Sequence, residues 1–446
     1  MLIDDALFKS EFNKINGATI NPVNYAYTAE FIDGNNNVIP IHNVLAIHNV
    51  AQYTTHISDN LIISLDVMKS IYLYLLTINR RLLKLRLVRK QNTVVGTPIA
   101  TGASNTYNYN AYLTDNTSEA IETRIGKLDG HHTDDLGELV EIHVNLVEVG
   151  LSEFRLWDCG GVYKNITMAK LLQGLLSHPI KALGETNAIS YNATIYPPDN
   201  ITTRFQCLIP SGVRIQNLPN WLQKTWGVYS SGIGWYLTGG MWYVYPLYNV
   251  KRYANEVRRV TIINVPRNEM VGNTNSYVII GNELYIYATG DTMHIDNVDR
   301  HMDISGSGFR TAKAGNVLDS FTVSTNGNTT IPPGQNSVAV SFDDRPGALN
   351  NLNTSKTLSS NLYDDASKII NGMGNIVILH WEYSNHHLLY PGMPVRLLYK
   401  VQDVPHSIYG ILAAADTTIR TPQKSIIDNR YTSLTQMTLY TERATN

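Results

Sequence analysis

The sequence predicts a mainly β chain with a few helices, an α+β protein that ends in a small β-barrel. Three observations predict it. Apolar and polar residues alternate in short segments such as LLKLRLVRK (82–90) and LVEIHVNLVEV (139–149), the period of a strand with one wet side. Only a few stretches keep the 3.6-residue period of a helix. The C-terminal part then holds strand-length runs in close succession, spaced like a small closed or nearly closed unit. With 446 residues, 43% of them hydrophobic, the chain is long enough for several cores. The expected organisation is a strand-helix-strand β domain over 1–150, an α+β section over 151–302, a polar connecting region over 303–371 and the barrel over 372–446.

In chain order, residues 40–90 read as strand, helix, strand. Ser58 and Asp59 can cap the helix, and Val67, Ile71, Tyr74, Leu75 and Ile78 keep one helical face. Leu83, Leu85 and Leu87 then alternate with Lys84 and Arg86. Residues 92–119, full of Thr, Gly, Asn and Tyr, read as a loop or long hairpin tip. In the next strand Val140, Ile142, Val144 and Leu146 point inward and Glu141, His143 and Asn145 outward. After Asn165 or Thr167 as a cap, Met168, Leu171, Leu172, Leu175 and Leu176 form a helical stripe expected to end at His178-Pro179. A short helix is expected in LPNWLQKTWG (218–227), opened by Pro219 and closed by Gly227, with Trp221 and Leu222 toward the core.

Two hairpins follow. In GIGWYLTGGMWYVYPLYNVKRY (232–253), Trp235 and Leu237 alternate before a Gly239-Gly240 turn, and Met241, Tyr243 and Tyr245 after it. In YVIIGNELYIYA (277–288), Gly281-Asn282 supplies the turn. Residues 303–370 are rich in Ser, Thr, Asn, Gly and Pro, with SVAVSF as a short strand candidate. NIVILHWEY, MPVRLLYKV, SIYGILAAADTTI and YTSLTQMTLYTER are the barrel strands, with Val377, Leu379, Trp381, Leu397, Ile411 and Leu439 expected in their core.

Composition narrows the function classes. Charged residues make up 16% and the formal net charge is −2, so no general pull toward nucleic acid or an anionic membrane is expected. Polarity comes from Asn, Thr, Ser and Tyr, which suits hydrogen-bonded loops and broad contact surfaces. Cys159 and Cys207 stand far apart and encode neither a zinc ribbon nor a disulfide framework. The opening residues lack the basic and apolar regions of a signal peptide, so synthesis in a cytoplasm is expected. The most apolar stretch, 61–88, is broken by charges, and no membrane anchor is expected.

The candidate chemistry is sparse. His131, His132, Asp134, Asp135 and His143 cluster, without the helical pair a zinc hydrolase uses. Asp291, His294, Asp296, Asp299, His301 and Asp303 cluster, without the Gly and terminal Glu of a calcium loop. His380 and Glu382 share a strand face, and His386 and His387 follow in a turn. No nucleophile elbow, P-loop or dinucleotide fingerprint is present. No catalytic residue, cofactor or metal is expected. The aromatic hairpin has two readings: core packing by good strand formers, and a protein contact on its outward face. That contact is expected at Trp242 and Val244.

Four segments together resemble the central hub proteins of contractile phage baseplates. They are HISDNLIISLDVMKSIYLYLLTINRRLLKLRLVRK (56–90); NITMAKLLQGLL (165–176) with CLIPSGVRIQNLPNWLQKTWGVYSSGIGWYLTGGMWYVYPLY (207–248); RNEMVGNTNSYVIIGNELYIYATG (267–290); and the barrel segment LLYPGMPVRLLYK (388–400). The likeness is one of pattern and order. It implies a structural virion protein with tail-tube-like β domains, two per chain, so that a homotrimer mimics a six-fold ring. The partners it implies are the tail tube, a spike or puncturing protein and other baseplate subunits. The sequence shows no obvious second copy of the strand-helix-strand unit. Two other classes compete: a receptor-binding or tail-fibre adhesin, suggested by the Tyr/Asn-rich loops, and a tail-associated peptidoglycan hydrolase, which needs an acid/base pair or metal set.

Overall fold

A computed structural model describes residues 2–17, 24–77, 82–92, 104–113, 139–149, 151–187, 192–266, 276–290, 374–421 and 431–442, residues 367 and 371, and short strands between 310 and 341. The chain begins with α1 (Asp5–Asn16), then β1 (Asn24–Ile32), β2 (Val38–Pro40), β3 (Asn43–Val50), β4 (Asn60–Met68), α2 (Lys69–Thr77), β5 (Lys84–Asn92), β6 (Ser104–Leu113) and β7 (Leu139–Glu148). The neighbour order β3-β4-β7-β6-β5-β1 curls into a first barrel. Its interior is the apolar parity of each strand: Ile63, Leu65 and Val67 of β4 meet Leu85 and Leu87 of β5 and Ile142, Val144 and Leu146 of β7, all buried. Tyr72 and Leu75 of α2 join this core. The gap between β1 and β3 is spanned by Tyr431, whose hydroxyl donates to the Val44 carbonyl at 2.8 Å, with that of Tyr27 at 3.4 Å.

The helix expected after Ser58 starts a strand later. Residues 60–68 form β4 because their buried positions alternate with a period of two, and only 69–77 are helical.

A middle unit follows, built from α3 (Leu151–Leu156), β8 (Gly161–Ile166), α4 (Met168–Asn187), β9 (Asn192–Ile195), β10 (Arg204–Ile209), α5 (Leu218–Thr225), β11 (Ile233–Thr238) and β12 (Met241–Pro246). Met168, Leu171, Leu172, Leu175 and Leu176 form the expected stripe and are buried. The helix does not end at Pro179. It runs through it to Asn187, because Pro179 is itself buried on the stripe and Ile180 packs against the same core. Burial thus compensates for the hydrogen bond that proline removes.

The last strands are β13 (Arg259–Asn264), β14 (Tyr277–Ile280), β15 (Glu283–Ala288), β16 (Arg310–Gly315), β17 (Thr322–Val323), β18 (Thr329–Thr330), β19 (Asn336–Ser341), β20 (Asn375–Glu382), β21 (Pro394–Val401), β22 (Val404–Arg420) and β23 (Thr432–Thr441). They build a second barrel in the order β15-β13-β21-β22-β23-β20. It closes where Thr289 and His380 exchange both backbone hydrogen bonds, at 2.9 and 2.7 Å. Val377, Leu379, Trp381, Leu397 and Leu439 fill its interior beside Val260, Ile262, Leu284 and Ile286, while Ile411 is buried in a smaller cluster with Ala413 and Tyr440.

This barrel is not confined to residues 372–446. Four antiparallel strands leave it open, and the parallel pair β13 and β15 completes it. Nor does α1 belong to the first barrel. Phe8 and Ile15 pack with Ile263, Tyr287 and Leu398 of the second, and Glu11 pairs with Arg396 at 2.8 Å.

The two barrels share β22. Its 17 residues, at about 3.3 Å each, run roughly 55 Å. Its first half pairs β21, and Thr417–Arg420 pairs β3. Between them the register against β23 shifts at Leu412/Ala414, a bulge that bends the strand where it changes partner.

Candidate functional site at the mouth of the first barrel

The aromatic hairpin sits between two cores. The register pairs Trp235 with Val244 and Leu237 with Trp242, so these four share one face and lie in the core of the middle unit. Tyr236 and Tyr243 share the other face and pack on the second barrel. Gly239 and Gly240, with φ of 58° and 76°, make the turn. Trp242 and Val244, expected to meet a neighbouring molecule, are both 0% exposed. That expectation is corrected, because the face opposite the second barrel is covered by Phe154, stacked on Trp242 at 4.5 Å, and by the helices of the chain's own middle unit.

The tip of this hairpin closes over the mouth of the first barrel, where a cavity of about 600 Å³ lies. A further wall comes from the turn that carries His386 and His387. One side is acidic. Asp59 accepts hydrogen bonds from the hydroxyls of Tyr236 (2.9 Å) and Thr238 (2.7 Å), and Leu237 donates its N–H to the Ile57 carbonyl (2.8 Å). Glu148, at the end of β7, accepts from the Gly240 N–H. Burial, with the charge of Asp59 adding to it, pushes the Glu148 carboxyl up to about 7. Burial also raises Asp59, against the hydrogen bonds that favour its ionised form. Two carboxylates of the first barrel therefore clamp the hairpin tip.

The other side is aromatic, with Tyr107, His386 and His387 among its lining residues. The rings of His386 and His387 lie 3.9 Å apart, and His387 stacks on Tyr107 at 5.9 Å with a 9° tilt. The Arg89 guanidinium lies over Tyr25 at 4.6 Å and Tyr107 at 6.0 Å. Asn385 donates to the Tyr25 hydroxyl at 3.1 Å. Enclosure by protein holds His386 down at about 4, with Arg89 adding to it, and holds His387 well below the ordinary histidine value, with His386 and Arg89 adding to that. His387 retains accessible surface because it faces the cavity.

Of the sequence's candidates, His386 and His387 come to this cavity, whereas His380 sits in the wall of the second barrel. His143 lies beside Ser64 at 2.8 Å. His131, His132, Asp134, Asp135 and the cluster from Asp291 to Asp303 lie outside the described residues. Among the described residues no group of three or more His, Cys, Asp or Glu could hold a metal ion. No described helix is long and apolar enough to cross a membrane. Asp59 and Glu148 were missed as site residues. Arg89, over the ring of the lining residue Tyr107, continues the inward parity of Leu83, Leu85 and Leu87.

No family model matches the chain, and no curated protein does. Similar solved structures are phage tail and baseplate proteins and type VI secretion components. The 43 kDa tail protein of prophage MuSo2 from Shewanella oneidensis is 9% identical, with 92% of this chain and 97% of that one covered and a TM-score of 0.44. A type VI secretion system component of E. coli, itself described as structurally similar to T4 bacteriophage tail proteins, is 10% identical, with 91% and 74% covered and a TM-score of 0.39. A chain of the phage P2 baseplate is 9% identical, with 94% and 98% covered and a TM-score of 0.27. Similarity of that order brings over no residue role.

Proposed function

We propose that this chain is a structural virion protein, the central baseplate hub of a contractile phage tail. In this reading it is a homotrimer that joins the tail tube to the spike and has no catalytic activity of its own. The observation that carries the reading is the pair of β-barrels joined through the single strand β22. Two barrels per chain are what a trimer needs to meet a six-fold tube, and the strands of the second are contributed by two distant parts of the sequence. Its composite origin explains why no second copy was evident in the sequence.

The described edges support assembly. β2 and β14 stand at opposite ends of the large sheet, each paired on one side only among the described strands. They carry exposed apolar residues, Val38 on β2 and Ile279 and Ile280 on β14. Unpaired edges invite association, and a closed ring is the arrangement that uses every edge without growing into a fibre. Light scattering should find three times the 49.9 kDa of one chain. The mass should hold between low and high salt, because few contacts would be screened ion pairs. A stable monomer at micromolar concentration argues for the adhesin reading, and turnover of purified peptidoglycan argues for the hydrolase.

A further inference from the structure

We propose that the cavity at the mouth of the first barrel binds a small organic monocation, a primary ammonium, between Asp59 and Glu148. Among the described residues these two carboxylates are the charged groups that line it, and no Lys or Arg belongs to the lining. Enclosure keeps the imidazoles of His386 and His387 neutral, so they add no competing charge. Arg89 stays outside the lining, over the ring of Tyr107. Neither carboxylate forms an ion pair among the described residues, and hydrogen bonds alone oppose the burial that raises both. An enclosed carboxylate without a counter-charge is unfavourable, and a cation in the cavity supplies it to both.

Two tyrosines point to the same ligand. Tyr53 lines the cavity and is only 6% exposed, and of the charges around it that of Asp59 acts on its hydroxyl most strongly. Tyr109 also lines the cavity, stands directly across from Glu148 in the pairing of β6 with β7, and feels the charge of Glu148 most. Neither hydroxyl has a hydrogen-bond partner among the described residues. A buried tyrosine hydroxyl normally finds one. An ammonium brings three donors and no acceptor, which suits two carboxylates and a tyrosine oxygen together. Tyr107 and Tyr243 add aromatic rings to the lining, and such rings attract a cation. The volume of about 600 Å³ is that of a small-molecule site and far exceeds a bare ion, and Leu61 and Leu146 in the lining suit a short alkyl chain. Thr106, Asn108 and His387 belong to the lining and are exposed, which leaves a way in from solvent.

The test is calorimetric titration of the full chain at pH 8 with propylammonium chloride, with sodium chloride at equal ionic strength and 1-propanol as separate arms. That pH ionises Glu148, which enclosure pushes up to about 7. Propylammonium should bind, and sodium and propanol should not. Glu148→Gln should weaken propylammonium binding by about tenfold or more, the effect of losing a charge-assisted hydrogen bond, and Tyr53→Phe by about threefold. Thermal melting supplies a second readout: propylammonium should raise the melting temperature of the native chain above that in sodium chloride. No propylammonium effect beyond sodium in either measurement leaves the cavity to water and overturns the proposal. Equal propylammonium binding by Glu148→Gln or by Tyr53→Phe also overturns it, and equal stabilisation by propanol overturns the assignment of the ligand as a cation.

Discussion

Glu148 and Trp381 are two ways in which burial sets a residue's role. The folded chain holds the Glu148 proton up to about pH 7, whereas a free glutamate releases it near 4.5. Its contribution to stability is therefore full below about pH 4.5, is lost as the pH rises toward 7, and is absent above. Urea unfolding should show the native chain less stable at pH 8 than at pH 5, by on the order of 3 kcal/mol from this group. Glu148→Gln should remove most of that difference, and an unchanged pH dependence would refute the clamp. Trp381 is fully buried in the second barrel and donates to Ser276 Oγ at 3.1 Å. Trp381→Ala should lower stability by about 3–5 kcal/mol in thermal or urea unfolding of the full chain. The alternation in NIVILHWEY made Trp381 legible as core. The same logic missed Trp242, because both faces of its hairpin are covered, and a period of two says only that faces differ. Asp59 was readable as a polar residue before an apolar run, but its partners Tyr236 and Thr238 lie far along the chain.

Elements were legible where their signal is local, and their partners were not. The Gly-Gly and Gly-Asn turns, the α4 stripe and the C-terminal strands all announce themselves through neighbouring residues. The pairing of β13 with β21 is parallel and joins residues more than a hundred positions apart, so no turn marks it. The expectation of a self-contained C-terminal barrel failed for that reason. A fragment of residues 372–446 should consequently show no cooperative unfolding transition, since β20–β23 would expose the core that β13 and β15 cover. A fragment of residues 256–446, which restores both strands, should unfold cooperatively. A sharp transition in the shorter fragment, followed by circular dichroism, would contradict the composite barrel. Pro179 teaches the converse, that a strong local stop signal yields when the residue itself lies on the buried stripe.

At the scale of the molecule, one bent strand joins two barrels, and the sheet ends in two edges that are each paired on one side only among the described strands. Composition foreshadowed the kind of surface, with 16% charged residues and 27 Tyr, but the number of barrels depended on long-range pairing. The aromatic hairpin is the keystone between the middle unit and both barrels, which is why its rings point inward and not to a neighbour. The hub reading is tested most directly by cryo-electron microscopy of the purified protein at micromolar concentration. It predicts a closed three-fold particle in which six barrels surround an axis. Isolated monomers, or chains joined end to end as an open fibre, would contradict it.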